Sequence, residues 1–240
     1  MLQSLIDGYY KSNGIGRFIV HAQLLLLVVM IVAGVRKWMQ IRQARRVNAK
    51  FTNDFNATDE ALEYYFNNRP TAEDGMEAIY RKTCERLLKL INPDVRGYLA
   101  SRAAEDGAAA PPVLTPSEME LVNGTCVYAL ETERIRLESW MPAVATVVSL
   151  SPMLGLLGTV WGVLDAFAEM GTAGTANLAT IAPSISSALV TTVIGLLVAI
   201  PGVIVYSCEN SAIGKILARA EAFAEELSGR IACEYKGRAA

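Results

Sequence analysis

The chain has 240 residues, 52% of them hydrophobic and 19% charged, with a formal net charge of −2; that balance offers no basic field for a nucleic-acid partner. Its four cysteines (Cys84, Cys126, Cys208, Cys233) form no CxxC or Cys/His spacing, which argues against a metal centre and for reduced thiols. No Walker A, GxSxG or HExxH sequence marks an enzyme site, and no cofactor is expected.

In chain order, residues 1–17 form a short leading segment in which Tyr9 and Tyr10 precede an apolar run over 18–35. Paired aromatics suit a membrane interface. A basic cluster of Arg36, Lys37, Arg42, Arg45, Arg46 and Lys50 follows the run. A secretory signal carries its basic residues before a shorter apolar region, so 18–35 reads as an uncleaved transmembrane helix. His21, the only histidine, lies near its outer end with Gln23 close by. It reads as an interfacial residue or a proton site, with no acidic partner one turn away.

Residues 36–140 read as a helical region outside the membrane. Thr71 with Asp74 starts a capping pattern, after which Met76, Ile79, Tyr80, Cys84, Leu87, Leu88 and Ile91 trace one apolar face. Asn92 and Pro93 end that helix. The alanine- and proline-rich stretch 97–116 reads as a flexible link. Ser117 with Glu120 forms a second capping box, opening a helix expected to run straight into the next membrane segment, with kinks at Pro142 and Pro152 and Trp140 at the inner interface.

Residues 141–168 and 181–206 contain no Lys or Arg, are each long enough to cross the hydrocarbon core, and flank a polar bend over 169–180. The last helix is expected to start at Ala182-Pro183 and to continue past Pro201 into a tail, 207–240. On that tail Leu217, Phe223, Ala224, Leu227 and Ile231 form a stripe expected to pack against the other non-membrane helices. Twenty of the 22 Lys and Arg residues fall on one side if there are three crossings. The positive-inside rule then puts 1–17 and 169–180 in the periplasm and 36–140 and 207–240 in the cytoplasm. The expected fold is an all-α membrane protein with three transmembrane helices, two of them extended into a cytoplasmic helical bundle.

Both helices of the hairpin carry small and hydroxyl residues at steps of three and four. The first has Ser151, Gly155, Gly158, Thr159, Gly162 and Ala166; the second has Ser184, Ser187, Ala188, Thr191, Thr192, Gly195, Ala199 and Gly202. Such stripes let backbones approach closely in lipid. Gly155, Gly158, Gly162, Gly195 and Pro201 are the candidates for helix packing. Ser184, Ser187, Thr191 and Thr192 also form a polar seam, which in lipid must face other helices or a water-filled cavity. With Thr159 and Asp165 they are the candidate pore-lining residues. Asp165 reads either as a hydrated residue at the pore mouth or as a proton relay.

The residues SPMLGLLGTVWGVLDAF, followed by APSISSALVTTVIGLLVAIPGVIVY, resemble the two pore helices of the MotA/TolQ/ExbB proton channel family, in its TolQ/ExbB branch. The resemblance implies a proton-channel subunit of a bacterial inner-membrane motor, a homopentamer around the helices of an ExbD/TolR-like single-span protein that supplies an aspartate. Such a motor would drive TonB- or TolA-like components. TolQ and ExbB usually carry a glutamate in a segment like PGIAEAL; here the segment is PSISSAL and Ser187 stands at the glutamate position. A serine orders water but holds no titrating proton, so the resemblance leaves the titrating group to a partner or to Asp165. The competing readings are a small-solute transporter, for which neither an internal repeat nor a half-helix pair is visible, and a membrane scaffold whose hydroxyl seam only packs helices.

Overall fold

The computed structural model describes residues 14–58, 60–91, 113–173 and 178–235. They form α1 (Gly14–Phe55), α2 (Glu63–Asn68), α3 (Gly75–Leu90), α4 (Pro116–Glu138), α5 (Met141–Ala173) and α6 (Leu178–Tyr235). Apolar stretches within α1, within Pro116–Thr172 and within Ile181–Tyr235 are each long enough to cross a membrane. The protein is therefore an all-α membrane protein with three transmembrane helices. The stretch 92–112, with the Asn92-Pro93 stop and most of the expected link, lies outside the described residues.

The chain divides into two units, one holding Met1–Met39 and Ser139–Ser211 and the other Gln40–Glu138 and Ala212–Ala240. The second unit is built around aromatic rings. Phe51 and Phe55 of α1, Tyr80 of α3 and Phe223 of α6 meet with centroids 5.2–5.8 Å apart, several edge to face, the geometry that aligns ring edges with ring faces. Tyr80 is fully buried; its hydroxyl donates to Ala61 O at 2.7 Å and accepts the Tyr65 N–H at 2.9 Å. The expected apolar face of α3 is buried here, with Leu88 partly so. The stripe on the tail is buried in the same core: Phe223, Ala224, Leu227 and Ile231 belong to the cluster, and Leu217 is also buried.

Four local expectations are corrected. The box that opens α4 is Thr115 with Glu118, two residues before the expected pair: Thr115 N–H and Oγ1–H both donate to Glu118 Oε2 at 2.8 Å, and Glu118 N–H donates back to Thr115 Oγ1 at 3.3 Å. Two overlapping S/T-x-x-E patterns compete here, and Pro116 decides between them, since proline fits the first helical position, where its missing N–H costs nothing. At α3, Asp74 makes no side-chain cap. The Met76 N–H is taken instead by Asn48 Oδ1 of α1 at 3.0 Å. Gly75 permits this with φ +78°, and a Cβ there would sit 2.5 Å from Asn48 Oδ1.

The third correction is that α4 does not run straight into α5. Ser139 and Trp140 break it, with Trp140 at φ 70°. Pro142 is the cause: it has no N–H to bond the carbonyl four residues back, and its ring clashes with that carbonyl in a continuous helix. The Val144 N–H then bonds Trp140 O at 3.2 Å and starts α5 afresh. At the bend of the hairpin α5 continues to Ala173 and α6 begins at Leu178, with Pro183 inside it. The last helix thus starts four residues before the expected Ala182-Pro183, and Pro183 stands as its sixth residue.

Candidate functional site

The membrane unit is apolar outside and polar at its helix crossings. Phe18, Leu25 and Val28 of α1, Leu156, Val160, Leu164 and Phe167 of α5, and Leu189, Leu197 and Ile200 of α6 are exposed, whereas Gln23, Ser151, Ser187 and Thr191 are buried. Glycines bring α5 and α6 together within one chain. A Cβ at Gly155 would lie 2.9 Å from Thr192 Cα, at Gly158 2.2 Å from Thr191 Oγ1, at Gly162 2.5 Å from Ala188 Cβ, and at Gly195 2.7 Å from Ser151 O. A Cβ at Gly202 would meet Met30 Sδ of α1 at 2.7 Å and Val148 of α5 at 2.8 Å. Pro201 is exposed. The small residues are thus used inside the protomer, where backbone contact replaces the hydrophobic drive missing in lipid.

That approach lets the threonines bond across the crossing. Thr191 Oγ1–H reaches Ala188 O at 2.7 Å in its own helix and Gly155 O at 3.2 Å, and Thr192 Oγ1–H donates to Gly155 O at 2.9 Å. The Thr159 hydroxyl donates to Leu156 O at 2.7 Å in its own helix. Thr191 and Ser187 are buried, whereas Thr159, Ser184 and Thr192 are half-buried and keep surface. Towards the bend of the hairpin Ser184 Oγ–H donates to Glu169 Oε2 at 3.2 Å, and Asp165 is half-buried. The His21 ring nitrogen Nδ1 lies 2.6 Å from Arg17 O, one turn back.

Gln23 is the residue the sequence reading passed over. Its side chain is fully buried, and its Nε2 group donates to Ser151 O of α5 at 3.3 Å and to Thr191 O of α6 at 3.1 Å. It therefore ties α1 to both helices of the hairpin at the level of Gly155 and Gly195. Near the other end of the unit Lys37 and Glu209 are both buried. Lys37 Nζ donates to Ser139 O at 2.8 Å, taking up a carbonyl that the break at Trp140 leaves outside the helix ladder. Burial pushes the Glu209 carboxyl above the usual carboxylate range, and the Lys37 charge pulls it partly back. Between residues 141 and 206 the only carboxylates are Asp165 and Glu169.

The sequence signature of the MotA/TolQ/ExbB proton channel family matches residues 99–222. The Tol-Pal system protein TolQ of Pseudomonas aeruginosa is 30% identical over 211 residues, 84% of this chain and 84% of that protein. The biopolymer transport protein ExbB of Xanthomonas campestris is 28% identical over 212 residues, 88% of this chain and 81% of that protein. TolQ of Haemophilus influenzae is 32% identical over 194 residues, 76% of this chain and 77% of that protein.

Proposed function

The chain belongs to the MotA/TolQ/ExbB proton channel family, and from that premise we propose that it is the channel subunit of an inner-membrane complex that converts the proton motive force into work on periplasmic or outer-membrane components. The observation that carries the proposal is a hydroxyl seam without a fixed carboxylate: Thr191 and Thr192 gathered on Gly155 O, and Ser187 where the family's glutamate is expected. Proton relays in membranes use titrating groups. The missing carboxylate then comes from a partner, a single-span protein of the ExbD/TolR kind, around whose helices this chain closes a ring of five. A TonB- or TolA-like protein takes the output.

Within this reading Thr159, Thr192 and Ser184 meet the partner's acid or its waters. The buried Thr191 and Ser187 hold α6 in register, and Asp165 lies at the outer mouth. The test is proton uptake into liposomes under an imposed pH gradient, with and without the partner. We expect uptake only with the partner. Thr159→Val, which keeps the shape and deletes the hydroxyl, assembles normally and lowers uptake roughly tenfold to a hundredfold, the scale of one lost hydrogen bond to a charged group. Robust uptake by this chain alone overturns the proposal and turns attention to Asp165.

The orientation rests on the placement of twenty of the 22 basic residues. It puts 1–17 and 169–180 in the periplasm, and 36–140 and 207–240 in the cytoplasm as a helical bundle. A cysteine at Gly171, in a cysteine-free background, reacts with a membrane-impermeant thiol reagent in intact spheroplasts, whereas one at Ala109 reacts only after lysis. The reverse pattern refutes the orientation.

A further inference from the structure

Two polar atoms buried in the membrane unit, Gln23 Oε1 and Ser151 Oγ, have no hydrogen-bond partner among the described residues. Both side chains are wholly buried and belong to directly bonded residues, since the Gln23 amide group donates to the Ser151 backbone carbonyl at 3.3 Å as well as to Thr191 O at 3.1 Å. Those two bonds fix which end of the amide is nitrogen, because a flipped amide would aim its oxygen at two carbonyls. The orphan oxygen is therefore a true acceptor, and the orphan hydroxyl of Ser151, the residue whose carbonyl the same amide holds, both donates and accepts.

The place is built for an amide. A Cβ at Gly195 would lie 2.9 Å from Gln23 Nε2, and one at Gly155 would lie 3.4 Å from it, so side chains at either position would crowd the group. Ser151 O and Thr191 O are the carbonyls to which the Gly155 and Gly195 N–H groups bond along their own helices. Each has a second lone pair, and Gln23 takes it. These glycines thus serve the amide as well as the helix crossing.

We propose that Gln23 and Ser151 hold a buried water inside each protomer, and that Gln23 is a positioning residue for the Thr191–Thr192 turn. The water donates to Gln23 Oε1 and exchanges a hydrogen bond with Ser151 Oγ. Buried polar groups of this kind retain a water with two to four partners, and no bulk solvent reaches them within hydrocarbon. The turn is then held from two sides: Gly155 O receives both threonine hydroxyls, and Gln23 grips the Thr191 carbonyl. With the Thr191 proton shared between Ala188 O and Gly155 O and the Thr192 proton on Gly155 O, the hydroxyls present lone pairs, so the turn favours a protonated acid over an ionised one. The positioning part rests on the proposed role of Thr192 in the proton path; the water site does not.

The water site is tested on the full-length chain in bilayers, by solid-state magnetisation transfer from water to the Gln23 side-chain amide, with the backbone amides of Val144 and Val198, buried in the same unit, as the dry reference. Transfer to Gln23 is expected to be several-fold faster than to the reference, and to fall to the reference rate in Ser151→Ala, which leaves both amide bonds intact. Transfer at the reference rate in the unsubstituted chain overturns the site. Positioning is tested by partner-dependent proton uptake. In Gln23→Leu the ring assembles and the midpoint of the pH profile moves by about one unit, the scale of one hydrogen bond; an unmoved midpoint overturns the positioning role. If Gln23→Leu does not fold, Gln23→Met, closer to glutamine in length and without the amide, carries the same pH measurement with the same two outcomes. If no preparation takes up protons, the proton-path reading fails with the positioning role, and the water measurement still decides the site.

Discussion

Gly158→Leu is expected to destroy the folded protomer rather than only its association with other copies. A single Cβ at this position would lie 2.2 Å from Thr191 Oγ1, 2.7 Å from its Cβ and 3.0 Å from its Cγ2. Thr191 cannot swing aside, because its hydroxyl is bonded to Ala188 O and Gly155 O and a β-branched side chain in a helix has little rotamer freedom. The clash is therefore relieved only by separating α5 from α6. That separation breaks the contacts of Gly155, Gly162 and Gly195 together with the Gln23 bonds. Overpacking of an ordinary core costs about 1–3 kcal/mol, and here the penalty falls on the whole helix crossing. The measurement is the folded, monodisperse fraction and the apparent melting temperature in detergent. Gly158→Ala is expected to lower the melting temperature and Gly158→Leu to leave no folded fraction. Gly171→Leu, where nothing lies within 4 Å of the added Cβ, stays close to the unsubstituted chain. The size swap Gly158→Ala with Thr191→Gly recovers part of the loss, less the roughly 1 kcal/mol that glycine costs inside a helix. Normal folding of Gly158→Leu refutes the intrachain contact.

The same glycines show how far the sequence carries. Their spacing on one helix face was legible because a period of three and four residues is a local property. So were the buried face of α3 and the apolar stripe of the tail. The identity of the partner helix was not local, and it proved to be α6 of the same chain. Gln23 was missed because one glutamine near the end of an apolar run looks like an interfacial residue. Its two acceptors lie 128 and 168 residues away. Asn48 capping α3 is of the same kind, since nothing around Met76 names a donor-seeking oxygen 28 residues earlier. The competition between Thr115 and Ser117 was visible in sequence, and Pro116 held the answer. The break at Trp140 was legible as a proline kink but not as a left-handed residue. Its conformation goes with a carbonyl turned toward Lys37, which is 102 residues from Ser139.

Lys37→Met is expected to destabilise the membrane unit, and more so at high pH than at low. Lys37 and Glu209 are 4% and 5% exposed, so neither charge is well hydrated. Lys37 Nζ has Ser139 O at 2.8 Å, whereas Glu209 Oε2 is buried without a hydrogen-bond partner among the described residues, and a Cβ at Gly34 of α1 would lie 3.8 Å from Glu209 Oε1. Burial raises the Glu209 carboxyl above its ordinary value of 4.5, and the Lys37 charge opposes that rise. A carboxyl raised on folding binds its proton more tightly in the folded state. Its contribution to stability is complete below the unfolded value and is lost as pH rises through the folded one. Removing Lys37 lifts the folded value further, so the loss continues to a higher pH. A buried charge left without a compensating one nearby costs about 3 kcal/mol once it is ionised, and less while Glu209 stays protonated. Apparent melting temperatures of the full chain from pH 5 to 8 are expected to fall more steeply with pH for Lys37→Met than for the unsubstituted protein. Adding Glu209→Gln removes the ionisation, flattens the profile and restores stability at pH 8. If the double variant is no more stable at pH 8 than Lys37→Met alone, the two charges are not coupled, and Lys37 acts only through the Ser139 carbonyl at the helix break.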